Sequence, residues 1–94
     1  MTENGGERSL MRGLEYSWHA LFVMAERLIP PEWVERTVAD PALRVPDPND
    51  TTLERFYRPV PENENRVLRV VVNTQVAPWR VISVFFDRRM RGQL

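Results

Sequence analysis

The apolar positions change their period halfway along the chain. Trp18, Leu21, Phe22, Ala25 and Leu28/Ile29 fall at i, i+3, i+4, i+7 and i+10/i+11, the spacing of one helical stripe. Ser17 stands just before the stripe, where its hydroxyl can accept a bond from an early helical amide. Pro30 and Pro31 stop the run, because proline clashes with the preceding turn and lacks an amide hydrogen. The spacing predicts a helix over about 18–28 with that stripe as its core face. Pro31 then opens a second helix at its first position, with Glu32 and Glu35 toward the positive end of its dipole. Val34 and Val38 share a face of it, Trp33 lies beside them, and Asp40-Pro41 closes it.

Beyond residue 41 the pattern becomes extended. Leu43–Val45 reads as a short edge strand, and Pro46, Pro48, Asn49 and Asp50 punctuate a loop. Leu53–Val60 alternates and is rich in aromatic residues. Arg66–Asn73 and Arg80–Asp87 are apolar on both faces and so read as central strands. The links at 61–65 and 74–78 are short enough for hairpins. Helices first and strands after them make an α+β domain: two short N-terminal helices packed on one face of a three- to four-stranded antiparallel sheet. Residues 1–13, with Gly5, Gly6 and Gly13, read as a flexible leader with a short turn around Leu10 and Met11. Residues 14–91 form the single domain, and 92–94 a tail.

Composition narrows the function. Ninety-four residues, 43% apolar and 28% charged, suit one globular core and exclude a multidomain enzyme. No apolar run approaches the ~20 residues that span a bilayer, so no membrane association is expected. The polar, acid-bearing N-terminus resembles neither a signal nor a transit peptide, which predicts a cytoplasmic protein. Cysteine is absent, removing disulfides, thiolate catalysis and Cys-based zinc sites. With one histidine, and without a glycine-rich phosphate loop, a nucleophile elbow or metal-ligand spacing, no cofactor or metal is expected. Net charge is zero but uneven: residues 1–50 carry 5 Arg against 9 acids, and residues 51–94 carry 8 Arg against 4. That asymmetry fits a polyanion-facing second half and fits an internally paired domain equally well. Every cation is Arg, so phosphate binding would be planar and bidentate.

Several segments together resemble a known group. Ser17-x-His19-Ala20, Glu26-Arg27-x-Ile29, Val34 and the Asp40-Pro41 stop are similar to the opening of a widespread bacterial domain of unknown function, grouped with the RelE/ParE/BrnT-like toxins. Glu54-Arg55, the run Asn65–Val71 and the run Arg80–Arg89 extend the resemblance over about Leu14–Arg91. The family's helix often carries Arg where Val23 stands and Gly where Leu28 stands. The resemblance implies a RelE-like or BrnT-like α+β fold and a toxin-type domain that binds RNA. Its implied partners are RNA, an antitoxin-like protein and a second copy of the chain.

The residues that could do chemistry are few. His19, in the first turn of its helix, is the one conventional proton shuttle, and the dipole there favours the neutral ring that a general base needs. A structural histidine bonded to the sheet is the plainer alternative. Arg27 could clamp a phosphate through its fork of donors, or pair with Glu26 or Asp40. If the strands at 66–73 and 80–87 are neighbours, Arg69 and Arg80, with Arg88 and Arg89, could share one sheet face or rim and stabilise the charge of a pentavalent phosphorane. Tyr57, Arg58, Arg88 and Arg89 complete the candidate RNA-binding set, Tyr57 by stacking on a base or donating a proton. The three tryptophans read as packing residues. The expected function is a toxin-like RNA-binding domain acting as a metal-independent endoribonuclease of a toxin–antitoxin system. The alternative is a non-catalytic interaction or dimerisation module of the same fold.

Overall fold

The computed structural model describes residues 10–11 and 13–94. Most of the expected leader, residues 1–9 and Arg12, therefore lies outside the described residues. The elements are β1 (Leu10–Met11), β2 (Leu14–Tyr16), α1 (Trp18–Arg27), α2 (Pro31–Ala39), β3 (Leu43–Pro46), β4 (Leu53–Val60), β5 (Arg66–Asn73) and β6 (Trp79–Phe86). Single 3-10 turns follow β4 and β6, at Pro61–Asn63 and Arg88–Met90. The chain is α+β, as expected.

The sheet corrects the expectation of three or four antiparallel strands. Among the described residues it has six, in the order β1-β2-β6-β5-β4-β3, and it is mixed. β3 to β6 pair antiparallel, but β2 runs parallel to β6, with Leu14, Glu15 and Tyr16 opposite Trp79, Arg80 and Val81. β1 folds back on β2 as a two-residue edge, so Leu10 and Met11 form a strand rather than a turn. These short strands escaped the sequence reading because a three-residue alternation is no signal by itself. Their stabilising partner lies some 65 residues away.

Both ends of α1 are fixed as the sequence suggests. The Ser17 hydroxyl accepts from the Ala20 amide at 3.0 Å and donates to the Ile82 carbonyl at 2.9 Å. Ile82 is the unmatched residue of a bulge, since Val71 faces Ser83 while Val72 faces Val81. One side chain thus caps the helix and ties it to the sheet. At the other end Leu28 adopts the left-handed conformation, φ 57° and ψ 46°, and Ile29 N–H bonds to Met24 O at 2.8 Å. In α2, Pro31 occupies the first turn, Val34 and Thr37 are buried, and the Thr37 hydroxyl bonds to the Trp33 carbonyl.

Register places the core. Phe56, Val70 and Val84 form one cross-strand row under the helices; Leu68, Val72, Val81, Leu14 and Tyr16 share that face. Ala20, Met24, Ile29 and Val34 close over it. Trp33 packs edge-on to Phe86, and Trp79 lies against Phe56 with the Arg44 guanidinium over both rings. Burying each such ring contributes roughly 2–3 kcal/mol.

The core face of α1 is also a correction. Most of the expected stripe points away from the sheet, with Trp18 82% exposed, Phe22 64% and Leu28 83%, while Ile29 at its end is in the core as expected. The helix instead seats Ala20 and Met24, with Leu21 partly covered. Trp18 is accordingly no packing residue, whereas Trp33 and Trp79 are. No described helix is long and apolar enough to cross a membrane.

Candidate functional site

Two places gather chemistry-bearing side chains, and they meet at Phe85. The first follows from where β2 ends. Because β2 pairs only with Trp79–Val81, the stretch of β6 beyond Ile82 has no strand on that side. α1 runs beside it and leaves a groove of about 360 Å3. One wall is helical, made by His19, Phe22, Val23, Glu26 and Arg27; the other is Ser83, Val84 and Phe85. Phe22, Val23 and Glu26 stand at i+3, i+4 and i+7 from His19, so helical geometry alone places them along one side. Arg27 reaches the same groove by the length of its side chain.

The second place is the sheet face opposite the helices. Tyr57, Arg69 and Phe85 form one row across β4, β5 and β6. The Arg69 guanidinium lies 4.1 Å from the Phe85 ring centre, its Nη1 is 3.4 Å from the Tyr57 hydroxyl and 3.6 Å from Asp87 Oδ2. Arg69 is only 9% exposed, and its Nε has no hydrogen-bond partner. Asp87 is buried as well and accepts from the Arg89 amide at 3.1 Å, starting the last 3-10 turn. A buried cation held by a carboxylate and a ring is built into the fold and is not open to a phosphate.

The other candidate cations divide by whether a carboxylate already holds them. Arg80 pairs with Glu15 at 3.5 Å, Arg58 with Asp40 at 3.3 Å, and Arg89 with Asp87 at 3.4 Å. Arg55 pairs with Asp47 at 3.0 Å. Asp47 is held below the usual carboxylate range, first by the Asn49 amide and then by Arg55. Arg44 grips Glu54 through two bonds, and Arg44 with Thr74 holds that carboxyl below its usual range. Arg27, Arg66, Arg88 and Arg91 have no carboxylate partner among the described residues, Arg91 donating instead to the Glu64 carbonyl. Arg27 takes neither of the partners considered for it: Asp40 belongs to Arg58, and Glu26 has no ion pair among the described residues.

Of the sequence candidates, then, the fold brings His19 and Arg27 into one groove. It sets Tyr57 and Arg69 behind Phe85, and leaves Arg58, Arg80 and Arg89 in separate ion pairs. Arg88 is exposed just beyond β6. Phe22 and Val23, which line the groove, are not among the sequence candidates, being read as packing or given no role. Their signal was the His19 spacing, which the stripe of larger residues masked. No cluster of three His, Asp or Glu side chains placed to hold a metal occurs among the described residues.

Residues 16–86 match the model of a family described as Domain of unknown function (DUF4258). No curated protein and no solved structure matches the chain.

Proposed function

The chain belongs to that family of unknown function, and from that premise we propose that it is a toxin-type RNA-binding domain with endoribonuclease chemistry in the groove between α1 and β6. The carrying observation is that the sole histidine and an arginine with no carboxylate partner among the described residues line the same water-accessible groove. His19 takes the proton of a ribose 2′-hydroxyl, and the 2′-oxygen attacks the adjacent phosphorus. The bond from phosphorus to the 5′-oxygen breaks, leaving a 2′,3′-cyclic phosphate. The proton returns from the imidazolium, through water, to the departing 5′-oxygen. Arg27 supplies a two-pronged donor to the phosphate as its charge builds. Arg69 and Arg80 take no direct part in this version, because each is already held by a carboxylate. The resemblance through Ser17-x-His19-Ala20 and Glu26-Arg27 to a domain of unknown function grouped with the RelE/ParE/BrnT-like toxins supports the same reading.

The test is single-turnover cleavage of a fluorescent RNA oligomer. His19→Ala should lower the rate by about 10²–10⁴-fold, the usual worth of a general base. Arg27→Ala should weaken both binding and rate while the far-ultraviolet spectrum stays unchanged. Wild-type protein that neither binds nor cleaves RNA would end the proposal.

A second reading, a non-catalytic interaction module, is favoured by one observation. Trp18, Phe22 and Leu28 form an exposed apolar row that the fold itself does not use.

A further inference from the structure

Glu26 lines the groove beside His19 and Arg27, yet it makes no ion pair among the described residues. Arg27, its neighbour in sequence, does not neutralise it, because adjacent residues project about 100° apart around a helix. An unpaired carboxylate weakens the pull of a groove on a phosphate backbone. It aids recognition only when the ligand turns hydrogen-bond donors toward it. His19, Phe22 and Glu26 stand at i, i+3 and i+7 of α1, so each side chain lies next to the following one. Phe22 is 64% exposed on that wall, and Phe85 lies on the strand opposite.

We infer that the groove selects guanosine in single-stranded RNA, its Glu26 carboxylate accepting two hydrogen bonds from the Watson–Crick edge of the base. The selection rests on the groove being the RNA site proposed above. A carboxylate only accepts, and it binds best where two donors stand side by side. Guanine presents such a pair, N1–H and the N2 amino group. Uracil sets its one N–H between two carbonyl oxygens. Adenine and cytosine set an amino group beside a ring nitrogen that accepts, so both bring a lone pair against the carboxylate. The edge is free in a single strand and occupied in a duplex.

The order of side chains along α1 matches the order of parts within one nucleotide. His19 and Glu26 are about 10.5 Å apart along the helix axis, too far to bond each other. A guanosine whose base stacks on Phe22 turns its Watson–Crick edge to Glu26 on one side and its ribose to His19 on the other. The 2′-hydroxyl at His19 then belongs to the guanosine itself, and the bond that breaks lies on its 3′ side. The product carries a guanosine 2′,3′-cyclic phosphate at its new end. With Arg27 on the phosphate, the base contact supplies the sequence preference that a backbone contact does not.

Calorimetric titration of the full chain with guanosine 3′-monophosphate and adenosine 3′-monophosphate reads recognition apart from chemistry. The guanosine nucleotide should bind about ten- to hundredfold tighter, the discrimination of one good bidentate pair. Glu26→Gln, at an exposed position, turns an amide donor toward the base and should remove that preference with an unchanged melting temperature. In single-turnover cleavage, a single-stranded oligomer with one guanosine should be cut on its 3′ side. Inosine there, lacking the N2 amino group, should slow the cut about tenfold. The 7-deaza analogue, altered away from the edge that Glu26 reads, should be cut at the unmodified rate. Equal cleavage after all four nucleotides overturns the guanosine assignment and leaves the endoribonuclease proposal standing. Guanosine-selective binding without cleavage supports the assignment and ends the catalytic proposal. Equal binding of the two nucleotides overturns the assignment, as does a preference that survives Glu26→Gln.

Discussion

Removing the Asp87 carboxylate should cost this domain more than most single changes. Arg69 and Asp87 are the charged residues buried among those described. Asp87→Ala strands the guanidinium in a place water does not reach, and breaking one side of a buried pair usually costs ~3–5 kcal/mol. Two features pull the expected value toward the lower end. The pair is a loose one at 3.6 Å, and Arg69 keeps the Phe85 ring at 4.1 Å and the Tyr57 hydroxyl at 3.4 Å. A loss of about 3 kcal/mol is expected, out of a total of roughly 5–14 kcal/mol for a domain this size. Asp87→Asn keeps an oxygen for the Arg89 amide and so separates the charge effect from the turn cap. Urea unfolding followed by tryptophan fluorescence reads the change as a midpoint lowered by about 2 M with an unaltered slope. Arg69→Met combined with Asp87→Asn removes both charges and should recover all but about 1 kcal/mol. If Asp87→Ala costs less than about 1 kcal/mol, Arg69 has a route to solvent. It would then be available to a phosphate after all, and its exclusion from the site would be wrong.

Leu28→Gly should stabilise the protein by about 1–2 kcal/mol, because the left-handed backbone at φ 57° strains any side chain and this one contacts little. A melting temperature that falls instead would refute that account. Tyr16 carries a buried hydroxyl without a hydrogen-bond partner, and burial, then the Glu35 charge, push its pKa up from 10 to about 12. A folded value above the unfolded one means the folded state holds its proton longer, so stability is intact below pH 10 and falls as pH rises toward 12. Tyr16→Phe should abolish that decline in alkaline denaturation scans and lose no stability at neutral pH. At the opposite extreme, Arg36 grips Glu62 through two bonds of 2.9 and 2.8 Å, and those bonds, with a backbone amide, bring the Glu62 carboxyl from 4.5 to about 2. Its contribution is present above pH 4.5 and is lost as pH falls to 2; Glu62→Gln should flatten that part of an acid unfolding profile.

The elements that the sequence announced are those with local punctuation. Ser17 and the Pro30-Pro31 pair bound α1, Pro31 and Asp40 bound α2, and the alternation of 53–60 and the apolar runs at 66–73 and 80–87 mark the strands. What failed was phase. Positions 18, 20, 21, 22, 23, 24 and 25 of α1 are all apolar, so its period supports several faces and the largest side chains drew the assignment. The fold chose otherwise because Phe56, Tyr16 and the valines of β5 and β6 already fill the space beneath. Small Ala20 and pliable Met24 fit over them, and the Ser17 bond to Ile82 fixes the rotation. The groove was half legible. His19 was singled out, but the wall opposite it depends on where a three-residue parallel strand stops, and no local pattern encodes that.

Arginine content shows the same division between local and long-range information. The excess of 8 Arg over 4 acids in the second half suggested a polyanion surface. In the fold, however, Arg55, Arg58 and Arg80 reach back to Asp47, Asp40 and Glu15 of the first half, while Arg36 and Arg44 of the first half reach forward to Glu62 and Glu54. Most of the imbalance is therefore internal pairing, and among the described residues four cations, Arg27, Arg66, Arg88 and Arg91, have no carboxylate partner and keep their full charge for a ligand. Single-stranded nucleic acid releases about 0.7 counterions per neutralised phosphate, so four such contacts give a slope of log K against log salt of about −3. Arg27→Ala should reduce its magnitude by about 0.7. A wild-type slope steeper than about −4, measured by fluorescence anisotropy, would mean that the ion pairs open on binding and that the paired arginines are the true phosphate ligands.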